Sequence, residues 1–333
     1  MAVPTRAHLR RRLTARAANS GFHALSFLGG LHPRAKPERQ GVERIRDIPY
    51  RSDSRRRAHR LDLYKPLRKP GPWPVVFYVH GGGFQSLSKD THWLMGLGFA
   101  RRGYLVVNVS YRLAPRHPFP APLADVCDAF AFAVDNLERW GGDPTRLSLA
   151  GESAGANLVA ALAVATSYRR SEPWATKVFE AAEATARPRV VLASCGIHQV
   201  SDTERFRRRD PDLPRFATAI IEDVEQCYLK NPNGAGDPIS GPRAMADPLV
   251  ILEQGLTPDV PLPAFHLTVG TADPLLDDTR RMAAALDRLG TTHEASYFQG
   301  QPHAFHVAIH TRAARRCWRE MYAFLDLHAG PLS

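Results

Sequence analysis

The sequence predicts an α/β fold with a mostly parallel central sheet and helices on both faces. Two observations lead to this prediction. Several short apolar runs are continuous rather than alternating, as at residues 74–79 and 103–109, which is typical of strands buried on both faces. Helical stretches separate most of these runs, and repeated strand and helix units imply parallel strands joined by helices.

Composition and charge restrict the classes of function. Of the 333 residues, 44% are hydrophobic and 23% are charged, which is ordinary for a soluble globular protein. No apolar run reaches the roughly 20 residues that a membrane span needs, so we expect no membrane span. The formal charge of +11 comes mainly from clustered arginines. No nucleic-acid-binding module accompanies them, so we expect no nucleic-acid partner.

The cysteines are few and widely spaced, and none forms a C-x-x-C pair: Cys127, Cys195, Cys227 and Cys317. This spacing argues against a disulfide framework and against a cysteine metal site. A reduced, cytoplasmic setting is therefore predicted.

The N-terminal segment is basic. Residues 1–37 hold seven Arg or Lys and no Asp or Glu, a composition that organelle transit peptides share. We favour the alternative of an amphipathic segment packed on the body of the protein.

The first half of the chain is predicted to supply two antiparallel strands and two buried strands. Apolar residues tend to alternate over residues 42–50 and 58–64, as in half-buried antiparallel strands. The elements that follow are a strand at 74–79, a helix at 90–102, a strand at 103–109, a proline-rich loop at 111–120 and a helix at 121–140.

The second half continues the alternation with one interruption. Residues 197–245 are rich in charge, Pro and Gly, with a helical piece near 216–229, and an insertion of this length is a candidate lid. The other predicted elements are strands at 147–150, 189–194, 264–269 and 294–298, and helices at 154–165, 174–186, 275–289 and 305–327.

The turn after the strand at 147–150 reads Gly151-Glu-Ser-Ala-Gly155. Gly-x-Ser-x-Gly between a strand and a helix is the nucleophile elbow, a strained turn that exposes a serine hydroxyl. Its two glycines allow a close backbone approach. Ser153 is therefore the candidate nucleophile, and it needs a base, an acid and oxyanion donors from elsewhere in the chain.

The acid should follow the serine and precede the histidine in the chain. Asp273 comes just after the strand at 264–269, where catalytic groups collect in open α/β sheets. Asp277 and Asp278 are alternative candidates for the acid. Both fall in the first turn of a predicted helix, where acidic residues commonly interact favourably with the helix dipole. Asp273 is therefore the predicted acid.

His303 is the predicted base, because it lies in the loop between a strand and a helix after the acid. His306 and His310 are predicted one and two turns into the helix at 305–327. A metal site made by the three histidines is not expected, because no acidic or cysteine ligand lies close in sequence. We expect neither a metal nor an organic cofactor.

Backbone N–H groups should form the oxyanion hole, one of them on the residue after the nucleophile, Ala154. The others are predicted in the glycine loop, which we define as His80-Gly-Gly-Gly-Phe84 and which follows the strand at 74–79. Its glycines let the backbone turn amides toward the cleft without interfering side chains.

Together these motifs resemble those of the hormone-sensitive lipase-like esterases, bacterial family IV of the α/β-hydrolase superfamily. The resemblance covers about residues 61–327 and rests on the motifs at residues 80–84, 111–115, 151–155, 273–278 and 303–305. It implies that Ser153, Asp273 and His303 form a catalytic triad and that Gly82, Gly83 and Ala154 donate to the oxyanion. It also implies a catalytic domain at 44–333, capped by residues 1–43 and by the insertion near 197–245.

The activity that the resemblance implies is that of a serine carboxylester hydrolase, which cleaves short-acyl esters through an acyl-enzyme. An amidase or deacetylase acting on aryl amides is the alternative that the same triad could run. A non-catalytic ligand receptor on this scaffold is the alternative from another class, and the presence of His303 argues against it. The expected partner is a small-molecule ester, and a homodimer is one option for the oligomeric state.

Two residues depart from the family pattern, which usually has Asp or Thr before the serine and two glycines after Ser-Ala. Glu152 keeps a carboxylate but lengthens it, and Ala156 adds a methyl group at the start of the helix. Neither change removes a catalytic group. Phe84 and Glu152 are predicted to line the substrate pocket.

Overall fold

A single eight-stranded sheet organises the computed structural model, which describes residues 29–30, 32–230, 240–241 and 243–330. The strand order is β1-β2-β4-β3-β5-β6-β7-β8. The strands are β1 Val42–Pro49, β2 Arg60–Pro66, β3 Trp73–Val79, β4 Leu105–Val109, β5 Gly142–Glu152, β6 Val190–Ser194, β7 Ala264–Gly270 and β8 His293–Phe298.

The pairing of the strands agrees with the hydrophobic patterns. β2 runs antiparallel to both of its neighbours, β1 and β4, where alternating residues predict antiparallel strands. The other neighbours in the sheet pair in parallel, where continuous apolar runs predict buried strands. The predicted α/β class and mostly parallel sheet are therefore confirmed.

The α-helices of the described residues cover both faces of this sheet. They are α1 Trp93–Arg102, α2 Ala121–Val134, α3 Leu137–Trp140, α4 Ala154–Ser167, α5 Pro173–Ala184, α6 Glu204–Arg209, α7 Arg215–Leu229, α8 Pro248–Glu253, α9 Leu276–Arg288 and α10 Arg312–His328.

Alternate side chains of the central strands point to opposite faces of the sheet, where they belong to two apolar clusters. Phe77 points into the cluster under α2, α4 and α5, whereas its neighbour Tyr78 points into the cluster under α1 and α10. In the second cluster the rings of Phe99 and Trp318 lie 5.0 Å apart between centroids. Every residue of α4 is buried, which explains why this helix consists almost wholly of small and aliphatic residues.

The helix predicted at 121–140 is interrupted between α2 and α3. Asn136 leaves the helical conformation, and its side-chain amide donates to the carbonyl of Phe132 at 2.8 Å. Asparagine competes in this way with the backbone hydrogen bonds of a helix.

The last helix begins later than predicted. A short 3-10 turn occupies Phe305–Val307, and α10 begins at Arg312. Thr311 caps α10 because its hydroxyl accepts a hydrogen bond from the N–H of Ala314 at 3.1 Å. The prediction that His306 and His310 lie within this helix is therefore wrong.

The insertion at 197–245 contains α6 and α7 in its described part. The ring of Tyr228, near the end of α7, stacks on Phe84 with centroids 3.7 Å apart. The N–H of Phe119 donates to the carbonyl of Tyr228 at 2.7 Å. The insertion therefore lies directly against the glycine loop. The N-terminal segment predicted at 1–43 falls mostly outside the described residues.

The four cysteines are buried free thiols, and the cytoplasmic setting inferred from their spacing stays a prediction. As for membranes, none of the helices in the described ranges combines the length and the apolar character that a membrane span needs.

Candidate active site

The candidate catalytic residues lie at one edge of the sheet because of the strand topology. Ser153 directly follows β5, Asp273 comes three residues after β7, and His303 lies in the loop after β8. The glycine loop follows β3, which pairs with β5. Because these strands are parallel, their carboxyl ends share an edge. Residues that are far apart in sequence therefore meet there.

Ser153 occupies a sharp and strained turn. Its φ of 54° and ψ of −118° lie in a region that residues with a side chain rarely adopt. Two close approaches enforce the turn. A Cβ added to Gly155 would lie 2.1 Å from the carbonyl oxygen of Val79, and one added to Gly151 would lie 2.6 Å from the carbonyl of Gly155. Ser194, at the end of β6, accepts the N–H of Ser153 at 2.9 Å.

Asp273 and His303 form a hydrogen-bonded pair. Nδ1 of His303 lies 2.8 Å from Oδ2 of Asp273, and the other carboxylate oxygen accepts the N–H of Leu275 at 2.9 Å. The Asp273 side chain is fully buried, whereas that of His303 is 38% exposed. The imidazole thus extends from a buried acid toward the surface, and donation from Nδ1 leaves Nε2 able to accept a proton.

The two loops that carry this pair are held against each other. The N–H of Gly300 donates to the hydroxyl of Thr271 at 2.8 Å, and the N–H of Ala272 donates to the carbonyl of Gln301 at 3.1 Å. A Cβ on Gly270 would lie 1.9 Å from that same carbonyl oxygen. Only glycine therefore fits at the end of β7, and these contacts fix the position of Asp273 relative to His303.

Cys195 adjoins the pair and was not expected from the sequence. Its Sγ, a ring nitrogen of His303 and a carboxylate oxygen of Asp273 lie within 4.8 Å of one another. Burial lowers the pKa of His303, but Cys195 and Asp273 raise it more strongly, so that the pKa lies well above its ordinary value. Cys195 directly follows β6, and this position at the shared edge is the signal that could have found it.

Ser153 and His303 are not hydrogen-bonded to each other. Within the described residues, no hydrogen bond joins Oγ of Ser153 to the imidazole. Catalytic hydrogen bonds are often long in enzymes without substrate and tighten when substrate binds. Ser153 therefore shares the carboxyl edge of the sheet with the His303–Asp273 pair without a hydrogen bond to it within the described residues.

Three backbone N–H groups near Ser153 donate no hydrogen bond to any described residue, namely those of Gly82, Gly83 and Ala154. Gly82 and Gly83 have φ values of 103° and 59°, which glycine adopts readily. Ala154 is the first residue of α4, where a helix has no internal acceptor for the N–H. These groups are available to bind a negatively charged oxygen.

The segment after β4 supports the glycine loop. The hydroxyl of Tyr111 donates to the carbonyl of His80 at 2.8 Å, and the two rings stack with centroids 4.3 Å apart and an interplanar angle of 9°. The N–H of Ala114 donates to the carbonyl of Phe84 at 2.8 Å. Both ends of the loop are thus held by residues of the motif at 111–115.

Glu152 and Phe84, predicted as pocket residues, are both buried. Oε1 of Glu152 accepts the N–H of Gly81 at 2.6 Å and lies 2.8 Å from Nε2 of His92. Phe84 stacks on Tyr228. These contacts favour support of the glycine loop over contact with substrate, and the place of both residues in the pocket stays a prediction.

The competing acids have other partners. Asp278 is fully buried, and Nη2 of Arg205 lies 2.6 and 2.7 Å from its two oxygens. Asp277, in the first turn of α9 as predicted, pairs with Arg209 at the surface. Of the competing histidines, His306 is buried and interacts electrostatically with His303 and Asp273. Burial, then His303 and His92, lower its pKa to about 4.

A cavity of about 1080 Å³ lies away from these residues. It opens between α1 and α10 and is lined by aromatic, aliphatic and arginine side chains, among them Trp93, Arg101 and Trp318. No member of the Ser153, Asp273 and His303 set lines it in the described part of the chain. Its described lining includes His32 as a possible base, but no serine, threonine, cysteine or carboxylate lies beside it there. The candidate active site is therefore the edge at β5 to β8.

Comparison with known families agrees with this geometry. Residues 76–307 match the sequence profile of a family described by the α/β-hydrolase fold, and this span includes Ser153, Asp273 and His303. The chain belongs to the α/β-hydrolase family. The resemblance to hormone-sensitive lipase-like esterases is thereby confirmed.

Relatives of this α/β-hydrolase are esterases. The α/β-hydrolase is 29% identical over 245 residues to the versiconal hemiacetal acetate esterase of Dothistroma septosporum, a match that covers 73% of this chain and 70% of the relative. It is 38% identical over 124 residues to the carboxylesterase NlhH of Mycobacterium tuberculosis, covering 37% of this chain and 35% of that enzyme. The crystal structure of the esterase LipW from Mycobacterium marinum matches with a TM-score of 0.71 and 26% identity, over 93% of this chain and 88% of that one. The α/β-hydrolase is accordingly a carboxylesterase.

Proposed function

We propose that this carboxylesterase cleaves short-acyl esters with a triad of Ser153, His303 and Asp273. The observation that carries the proposal is the 2.8 Å hydrogen bond between His303 and buried Asp273, at the same sheet edge as the strained elbow. His303 takes the proton of Ser153 as the hydroxyl attacks the ester carbonyl, and Asp273 holds the imidazole in the required tautomer. His303 then gives this proton to the alcohol, which leaves as the acyl-enzyme forms. The neutral imidazole next takes a proton from water, which attacks the acyl-enzyme and releases the carboxylic acid, and the proton returns to Ser153.

The backbone N–H groups of Gly82, Gly83 and Ala154 bind the oxyanion in this mechanism. Their support is that all three are free of other hydrogen bonds within the described residues. Removing one such donor typically costs about 3 kcal/mol of transition-state stabilisation. No organic cofactor takes part in any step.

The short acyl preference rests on the relatives and on the cap. One relative is named as an acetate esterase. The helix α7 of the insertion near 197–245 lies against the glycine loop through Tyr228 and Phe84, where it limits the room beside the nucleophile. In this proposal the described part of the insertion, with α6 and α7, caps the catalytic domain at 44–333; most of the proposed cap segment at 1–43 lies outside the described residues.

A pair of variants tests the nucleophile. Ser153→Ala is expected to abolish turnover of p-nitrophenyl acetate, because no hydroxyl remains to form the acyl-enzyme. Cys195→Ala is the matched control, since its thiol is the other nucleophilic atom beside His303, and it should retain turnover. Turnover that persists in Ser153→Ala and disappears in Cys195→Ala would assign the reaction to the thiol instead.

A substrate series tests the class of substrate. Rates per active site on p-nitrophenyl esters should be highest between acetate and hexanoate and fall for dodecanoate. An aryl acetamide matched to the aryl acetate should react far more slowly. Equal rates on the two would favour the amidase alternative, and a maximum at dodecanoate would contradict the short-acyl preference.

A further inference from the structure

We propose that Glu152 and His92 are positioning residues that lock the glycine loop to the nucleophile elbow. The inference rests on the triad and the oxyanion hole proposed above. It extends them to two buried side chains that lie behind the reacting atoms.

The link is a single oxygen atom. Oε1 of Glu152 accepts the N–H of Gly81 at 2.6 Å and lies 2.8 Å from Nε2 of His92. The side chains of His92 and Glu152 are only 3% and 5% exposed, so water does not compete for these bonds. Glu152 directly precedes the nucleophile, and Gly81 directly precedes Gly82. One carboxyl group therefore connects the two halves of the proposed site.

The backbones at this link are in direct contact. A Cβ on Gly81 would lie 2.7 Å from the carbonyl oxygen of Glu152 and 3.3 Å from Cβ of Ser153. The glycine loop thus rests on the elbow itself. A shift of a few tenths of an ångström at Gly81 would be passed on to the N–H groups that follow it.

His92 holds the other side of the carboxyl group. It lies at the start of α1, where its Nδ1 is 2.9 Å from the hydroxyl of Thr91 and 3.2 Å from the carbonyl of Ser88. Its ring stacks near that of His80, with centroids 5.5 Å apart. The anchor is therefore a fixed part of the fold rather than a mobile side chain.

The link does not depend on the charge of Glu152. Burial raises the pKa of Glu152 to about 8, and its Oε2 is buried without a hydrogen-bond partner among the described residues. Both protonation states leave Oε1 as an acceptor for Gly81. Among the described residues, the titratable groups around this pair include His80 and Tyr78 beside the ring of His92. His303 and His306 interact with the pair electrostatically.

Three substitutions of Glu152 separate position from charge. Glu152→Gln keeps an acceptor oxygen at the same distance, and kcat should stay within about threefold of wild type. Glu152→Asp shortens the side chain by about 1.5 Å and takes the acceptor out of hydrogen-bond range, so kcat should fall about tenfold. Glu152→Ala leaves the N–H of Gly81 unpaired, and kcat should fall on the order of 10²-fold, as for loss of an oxyanion donor.

The measurements distinguish a positioning role from a purely structural one. Rates are expressed per active site titrated with a serine-directed phosphonate, so that unfolded protein does not count. The inhibition constant of a trifluoromethyl ketone, whose adduct carries an oxyanion, should weaken in proportion to kcat/KM, while KM for p-nitrophenyl acetate changes less than about threefold. Asp143→Ala, which removes an acceptor of Arg146 at the opposite end of β5 from Glu152, is the control for stability and should leave kcat unchanged.

Two outcomes would overturn the inference. If Glu152→Asp keeps full kcat per titrated site, the carboxyl group does not position the loop, and this reading holds even where Glu152→Ala fails to fold. If Glu152→Gln is as inactive as Glu152→Ala, charge rather than position is responsible. Loss of activity in Ser153→Ala, measured alongside, keeps either result separate from a failure of the proposed triad.

Discussion

The protonation of His303 controls the pH range in which the proposed mechanism operates. The imidazole must be neutral to accept the proton of Ser153. Burial lowers its pKa, but Cys195 and Asp273 outweigh this effect and leave the pKa well above the ordinary value. As pH rises through this raised pKa the base loses its proton, so kcat/KM should rise. The acid limb should therefore lie above the ordinary histidine pKa of about 6.5.

Asp273→Asn tests both the orientation and the charge that Asp273 supplies. The acid limb of kcat/KM should move to lower pH, because the carboxylate that stabilises the imidazolium is gone. kcat should fall by about 10⁴-fold, since the amide favours the wrong tautomer. The measurement is a pH series on p-nitrophenyl acetate, with Asp277→Asn as the control that keeps the wild-type profile. An acid limb that stays in place would contradict the pairing.

Between elements, the buried pair of Asp278 and Arg205 joins α9 to α6 of the insertion. Asp278 also accepts the backbone N–H groups of His198 and Gln199 at 2.8 and 3.1 Å. Breaking a buried pair leaves a charge without compensation. The pair therefore fixes the insertion to the catalytic body rather than taking part in the reaction.

We expect Asp278→Ala to destabilise the protein by about 3–5 kcal/mol, because the buried guanidinium of Arg205 would lose its counter-charge and keep only backbone carbonyl partners among the described residues. Asp277→Ala should change stability by less than about 1 kcal/mol, since its pair with Arg209 lies at the surface. Urea unfolding of both variants gives the comparison. Equal destabilisation by the two adjacent substitutions would show that burial of the pair is not what matters.

The helices and strands show which parts of the structure the sequence patterns predict correctly and which they do not. The elbow helix and the strands were predictable because hydrophobic period and turn residues agree there. The start of α10 was misplaced because the apolar pattern continues through Phe305, and only the cap at Thr311 marks the true beginning. Asp278 could be set aside from its place in the first helical turn, but its partner Arg205 could not be predicted, because that contact depends on how the insertion folds back.

On the scale of the whole molecule, α7 is coupled to the catalytic body through Tyr228. The ring is fully buried between Phe84 and Phe119. Its hydroxyl has no hydrogen-bond partner within the described residues. The aromatic contact rather than the hydroxyl therefore holds the insertion in place.

Tyr228→Ala should lower the free energy of unfolding by about 3–5 kcal/mol, as for other large buried rings. Tyr228→Phe should be neutral or slightly stabilising, because it removes a buried polar group that lacks a partner. Thermal unfolding followed by circular dichroism measures both. Strong destabilisation by the phenylalanine variant would mean that the hydroxyl has a partner after all.

The fold class and the sheet edge that carries the site could be predicted from the sequence, whereas individual side-chain contacts could not. Ser153, Asp273 and His303 each follow a predicted strand. Because these strands are predicted to be parallel, the sequence already places the three residues at one edge of the sheet. The strand order, which sets β6 between β5 and β7, is not readable from hydrophobic pattern, and so the approach of Cys195 to the base was missed. The contact between His92 and Glu152 could not be predicted either, because β4 and most of β5 separate the two residues in the sequence.

The backbone of Ser153 has one consequence for the stability of the enzyme. Holding a residue with a side chain at a φ of 54° and ψ of −118° costs on the order of 1–3 kcal/mol, and only glycine adopts such a conformation freely. Ser153→Gly should therefore melt at a higher temperature than both wild type and Ser153→Ala, and a lower melting temperature would contradict this. The more heat-resistant form of this fold is then one that cannot turn over, so screening variants for thermal tolerance alone would select against the enzyme.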